Sequence, residues 1–189
     1  MNEFSSALFN ATDGRAYLRE VTVSLPRTWR TKHIACSLME PLISTSPSTK
    51  AHISITAPHP LFGNKPWTQQ SQGCGRPGDY IQMGSDSVRS GSNESHKQVA
   101  KLLLTEWAKY RWGVFEEIGH EGDLLYPQYF RDPHTNTMRP NQCPPPGQSS
   151  PFCEVKDHIP EAPNKHNALC RGRPAWNIIM QSEDFANGK

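Results

Sequence analysis

No two cysteines of this chain form a C-x-x-C pair. That removes the spacing on which zinc ribbons and thioredoxin-like redox sites are built. No apolar run approaches the ~20 residues that a membrane-crossing helix needs. The N-terminus has no basic region followed by an apolar core, so no signal peptide is visible. G-x-S-x-G is missing, and a serine hydrolase elbow has no support. The arginines are scattered, whereas a nucleic-acid surface would concentrate them. With a net charge of only +2, no nucleic-acid partner is expected. Hydrophobic residues make up 35% of 189, a modest supply for one domain of ordinary size. The 17 prolines and 13 glycines point instead to many loops.

Five cysteines are present: Cys36, Cys74, Cys143, Cys153 and Cys170. The last three lie in a proline-rich segment that is poor in apolar residues, where covalent staples would help most. All five are disulfide candidates, and the odd count leaves one thiol free or its partner outside the chain. Asn10-Ala11-Thr12 and Asn93-Glu94-Ser95 are glycosylation sequons, so Asn10 and Asn93 are candidate sites. Cysteines and sequons together favour an oxidising compartment.

Along the chain, Glu3 to Asn10 reads as a helix with Phe4 and Leu8 one turn apart. Tyr17, Arg19, Val21, Val23 and Leu25 alternate with Leu18, Glu20, Thr22 and Ser24 on the other face, which predicts a strand ended by Pro26. Thr31 to Lys50 reads as loop. Ala51 to Ala57 and Asp79 to Met83 read as strands, with turn-rich sequence from Leu61 to Gly78 between them. A long helix is predicted from near Ser95 to near Gly119. Arg131 to Pro174 shows no sustained period. A last helix is predicted from Pro174 to Phe185, with Trp176, Ile179 and Met180 inward.

The long helix carries the chemistry. Thr105, Glu106 and Lys109 occupy positions 1, 2 and 5 of an H-E-x-x-H pattern. In that pattern two imidazoles one helical turn apart reach one zinc ion, and the glutamate deprotonates zinc-bound water. Here Glu106 remains, while threonine and a protonated lysine stand where imidazoles belong. Gly113 follows, then Glu116 and Glu117. Val99, Leu103, Glu106 and Tyr110 share a face, which turns Glu106 toward the interior or a cleft. Without a metal, Glu106 and Lys109 make an ordinary surface pair worth about 0.2–0.5 kcal/mol. His96 lies two to three turns earlier and would need a different geometry to serve as a ligand. His120, with Glu121 and Asp123, reads as solvated loop charge, and His134, His158 and His166 lack ligand spacing.

The run Glu106-Trp107-Ala108-Lys109-Tyr110-Arg111-Trp112-Gly113-Val114-Phe115-Glu116-Glu117 resembles the H-E-W-A-H-x-R-W-G-V-F-D-E segment of the calcium-activated chloride channel regulators. Leu8 to Thr12, Cys74-Gly75 with Gly78 to Ile81, and Ile179 to Ser182 are similar to further segments of that family, in the same order. The resemblance implies a secreted or cell-surface glycoprotein whose N-terminal domain is a zincin-like metallopeptidase. A cysteine-rich segment, a von Willebrand factor type A domain and β-rich domains follow in the family. Its members cleave themselves and raise the activity of a chloride channel without forming the pore.

Carried over by position, Glu106 is the general base, Thr105 and Lys109 stand for the histidine ligands, and Glu116 or Glu117 stands for the acidic third ligand. The departures at Thr105 and Lys109 imply that zinc is not retained and that catalysis is lost. The expected fold is α+β and zincin-like, with a small mixed sheet beside a central helix. Residues 1–130 would form a partial zincin-like domain and 131–189 a Cys/Pro-rich lobe, truncated before any type A domain. The expected function is a non-catalytic regulatory or interaction domain, with a chloride channel or the rest of a longer parent as partner. Its rivals are a zinc peptidase using non-standard ligands and a decayed fragment.

Overall fold

The computed structural model describes residues 1–24, 51–89, 93–142 and 157–186. Its longest element is α3, Asn93–Trp112. Ala100, Leu103, Leu104, Ala108 and Trp112 recur at helical spacing, and all are buried. This stripe meets α1, Asn2–Ala11, through Phe4, Leu8 and Ala11. Phe4 packs edge-on against Trp107 with ring centres 5.8 Å apart. No side-chain bond caps the start of α1. Burial of Phe4 and Leu8, worth about 1.5–3 kcal/mol each, therefore holds it in place. Thr12 closes its end, donating to the Leu8 carbonyl at 2.8 Å and accepting from Ala16 N at 2.9 Å.

Three short strands form a sheet, of which the last two lie against α3: β1 (Ile53–Thr56), β2 (Trp67–Gln69) and β3 (Tyr80–Gly84). β3 is central, parallel to β1 with Ile53 beside Ile81 and antiparallel to β2 with Trp67 opposite Gln82. Ile81 and Met83 alternate inward along β3, and Ile81 is fully buried in the core. The Thr68 hydroxyl donates to the Glu106 carbonyl at 2.8 Å, fixing β2 to the helix. A short α2, Asp86–Arg89, leads from β3 toward α3. Beyond the helix, β4 (Tyr129–Arg131) and β5 (Met138–Pro140) form an antiparallel hairpin. Its turn is organised by Asp132, which accepts from His134 N, Thr135 N and Arg139 Nη1.

The last described segment holds α4 (Lys165–Cys170), α5 (Ala175–Met180) and α6 (Glu183–Ala186). Asn164 caps α4 by accepting from Asn167 N at 2.8 Å. A disulfide joins Cys74, between β2 and β3, to Cys170. Asp184 accepts from Arg111 Nε and Nη2 and from Trp112 Nε1, which docks α6 on the end of α3. Cys36, Cys143 and Cys153 lie outside the described residues, as does the predicted loop from Thr31 to Lys50.

The architecture is mixed α+β with small sheets, and the first helix and the strands at 53–56 and 80–84 stand where the sequence puts them. The strand expected from Tyr17 does not form through residue 24; Leu25 lies outside the described residues. Tyr17, Val21 and Val23 are exposed, and Leu18 from the opposite face packs on the core. Alternation alone makes no strand without a neighbour to pair with. The helix expected to reach Gly119 stops at Trp112. Gly113 has φ +66°, and a Cβ there would collide with the backbone of Arg76. That left-handed, close-packed position is open to glycine alone. The predicted last helix is broken after Met180 into α5 and α6. Ile179 is fully buried, and Trp176 and Met180 are packed against the core. The strand β2, helices α2 and α4 and the β4–β5 hairpin have no counterpart in the sequence reading.

Candidate functional site

Glu106 and Lys109 share one face of α3, one turn apart. The break at Gly113 sends the chain back past them as residues 114–118. Glu116 therefore meets Lys109 from the side. The Lys109 ammonium lies 2.7 Å from Glu106 Oε1 and 2.5 Å from Glu116 Oε1. The Lys109 and Glu106 side chains are only 12% and 11% exposed. The expected surface pair is thus a partly buried trio, with the Glu116 side chain 31% exposed. Burial works against the ammonium, but the charges of Glu106 and Glu116, and its bonds to both, hold its pKa above the ordinary lysine value. Burial likewise opposes ionisation of Glu116. The Lys109 charge and bond, with a contact to His120, outweigh it and keep the carboxyl below its usual range. His120 Nε2 reaches Glu116 Oε2 at 3.2 Å. A cavity of about 210 Å³ lies alongside, lined by Thr105, Lys109, Phe115, Glu116 and Ile118 among others.

Glu117 belongs to a different centre. Its Oε1 accepts from Ala175 N at 3.0 Å, at the start of α5, and from His158 Nδ1 at 3.2 Å. His158 Nε2 donates to the Gly172 carbonyl at 2.8 Å. An imidazole that gives protons from both nitrogens is an imidazolium. Burial presses its pKa down, yet the bonds to Glu117 and Gly172 and the Glu117 charge raise it overall. His166, fully buried, is the opposite case. Its Nδ1 accepts from Phe115 N at 3.0 Å and its Nε2 donates to the Arg173 carbonyl at 2.8 Å, which makes it neutral. Burial is the main reason its pKa is lowered. Its own backbone N donates to the Glu116 carbonyl at 3.1 Å. His158 and His166 thus clamp residues 115–117 from α4 and the loops beside it. Sequence reasoning missed this role, because no spacing links positions 158 and 166 to 117.

The other predicted residues fall elsewhere. The Thr105 hydroxyl turns to the Lys101 carbonyl of its own helix at 3.4 Å. His96 is thirteen residues before Lys109 on the same helix, roughly 20 Å along its axis. Asp123 takes no part in the Glu116–His120 contact; its Oδ1 accepts from Leu125 N and Tyr126 N and shapes the loop. Asn10 is exposed on α1, while the threonine of its sequon is buried. The Asn93 side chain lies outside the described ones.

Zinc, which the family resemblance implies, does not fit these donors. An ammonium stands between two of the carboxylates, the threonine faces its own backbone, and Glu117 is engaged with His158 and α5. Among the described residues, no group of three His, Cys, Asp or Glu side chains is arranged to hold a metal. No helix among them is long and apolar enough to cross a membrane.

The family model for the calcium-activated chloride channel N terminal matches residues 1–143 and 148–189. The chain is 26% identical to calcium-activated chloride channel regulator 1 of Bos taurus, over 99% of this chain and 25% of the relative. It is 26% identical to regulator 3A-1 of Mus musculus, with 99% and 25% covered. To regulator 2 of Homo sapiens it is 24% identical, with 98% and 23% covered. The chain therefore spans about a quarter of the length of these relatives. No solved structure matches it. By the family match over nearly all of its length, the chain belongs to the calcium-activated chloride channel N-terminal family.

Proposed function

We propose that this chain is a peptidase-derived, non-catalytic domain of a chloride channel regulator, acting outside the cell through its surface rather than through hydrolysis. The observation that carries this reading is the Lys109 ammonium held between Glu106 and Glu116. Glu106 stands at the general-base position of a zincin-like helix. A general base of that kind acts on metal-bound water. Here its Oε1 accepts a hydrogen bond from the Lys109 ammonium instead. What remains is a domain stapled by the Cys74–Cys170 disulfide, a bond suited to an oxidising compartment. Its partners would be a calcium-activated chloride channel or further domains of a longer parent.

Metal analysis and peptide hydrolysis by the purified domain test the reading. The expected result is no stoichiometric zinc and no cleavage. Zinc bound in a one-to-one ratio and lost on Glu116→Ala or Glu117→Ala would overturn it in favour of an active peptidase. The double variant Thr105→His with Lys109→His restores the ligand pair and should gain zinc. The regulatory half is read separately, as calcium-activated chloride current in cells bathed in the domain. An unchanged current would remove that half.

A further inference from the structure

Two carboxylates from different parts of the backbone converge on one atom. Glu106 projects from α3, and Glu116 from the segment that runs back after Gly113, so neither depends on the other for its position. Their oxygens stand 2.7 and 2.5 Å from Lys109 Nζ. Bonds from oxygen to a calcium ion are only slightly shorter, about 2.3–2.6 Å. His120 steadies the other oxygen of Glu116 at 3.2 Å. The neighbouring cavity of about 210 Å³ has room for waters that would complete a coordination shell.

We propose that Lys109 is the built-in cation of this centre, holding Glu106 and Glu116 together and shutting divalent metals out of a seat that would otherwise accept one. The inference rests on the non-catalytic reading above. It goes beyond the loss of zinc ligands, because it assigns the exclusion to one side chain and names the class of ion that the seat would take. Without the ammonium, two like charges would face one point in a mostly buried site, and they must gain a cation or a proton. Carboxylates and water suit hard ions such as Mn²⁺ and Ca²⁺ better than zinc. A tethered ammonium cannot be chelated away, so the native domain keeps its shape in EDTA.

Mn²⁺ is the probe, read as loss of the free-ion signal in electron paramagnetic resonance. The wild-type domain should leave the signal unchanged, with the same unfolding midpoint in EDTA and in Mn²⁺. Lys109→Ala should take up one Mn²⁺ per chain and melt at a higher temperature when it is present. Adding Glu116→Gln should abolish uptake, and adding His120→Ala should weaken it about tenfold. Lys109→Met, which keeps the side-chain volume, serves in the same way if Lys109→Ala does not fold. Folded Lys109→Ala or Lys109→Met that takes up no Mn²⁺, or failure of Mn²⁺ to raise the midpoint or recover the fold of either, overturns the inference alone. Stoichiometric metal on the wild-type domain overturns the non-catalytic reading as well, which tells the two failures apart.

Discussion

His158 and Glu117 form a buried ion pair, Nδ1 to Oε1 at 3.2 Å, with each side chain under 5% exposed. The same Glu117 oxygen receives the first amide of α5, so the pair joins residues 115–117 to the C-terminal helices.

The pH dependence of this pair has a definite sign. Burial opposes the imidazolium, but Glu117, Gly172 and the nearby Glu161 raise its pKa above the ordinary histidine value of 6.5. A raised pKa gives stability that is complete below 6.5 and lost as pH rises through the folded value. The unfolding midpoint should therefore fall as pH rises above 6.5. In Glu117→Gln that slope should flatten, and an unchanged slope would place the titrating group elsewhere.

His166 gives the opposite slope. Its pKa is depressed, so its stabilisation is present above 6.5 and disappears as pH falls through the folded value. Replacement by alanine leaves the buried Phe115 amide without its acceptor, at a cost of about 1–3 kcal/mol. Urea unfolding of His166→Ala should show that loss at pH 8 and a smaller one in mild acid.

Lys109→Met removes one charge and leaves two carboxylates uncompensated. Breaking a buried pair in this way costs about 3–5 kcal/mol. Further replacement by Glu106→Gln and Glu116→Gln should return most of it, because the unpaired charges are then gone. Equal midpoints for the single and triple variants in chelator would argue against charge as the cause.

The Cys74–Cys170 bridge closes a loop with a sequence separation of 96 residues. In the chain-entropy account a loop of that size is worth about 4–5 kcal/mol. Reductant should lower the thermal midpoint of the wild-type domain sharply. The shift should be smaller in Cys74→Ser/Cys170→Ser, which has already lost this bridge.

Legibility in the sequence followed the strength of local pattern. Phe4 and Leu8 recur at helical spacing, Leu103 lies on the face read as inward in the long helix, and Ile53 and Ile81 lie in runs rich in β-formers. These positions belong to the core or pack against it, and they could be read. The carboxylate at 106 was readable as inward-facing for the same reason. Glu117 was not readable as a partner of His158, nor Phe115 of His166, because these meetings are tertiary and leave no periodic trace. The three-residue β2 is too short for alternation to stand out. Gly113 was legible as a glycine, but its demand for a left-handed backbone against Arg76 became visible only in three dimensions.

That glycine changes the metric of the chain. Lys109 and Glu116 are seven residues apart. On an unbroken helix they would lie about 10 Å apart along the axis, nearly two turns, and the lysine would be left with Glu106 alone. Folding back at residue 113 turns a separation along one rod into a face-to-face meeting between two. The charge balance of the centre is therefore written in backbone handedness at a residue that has no side chain.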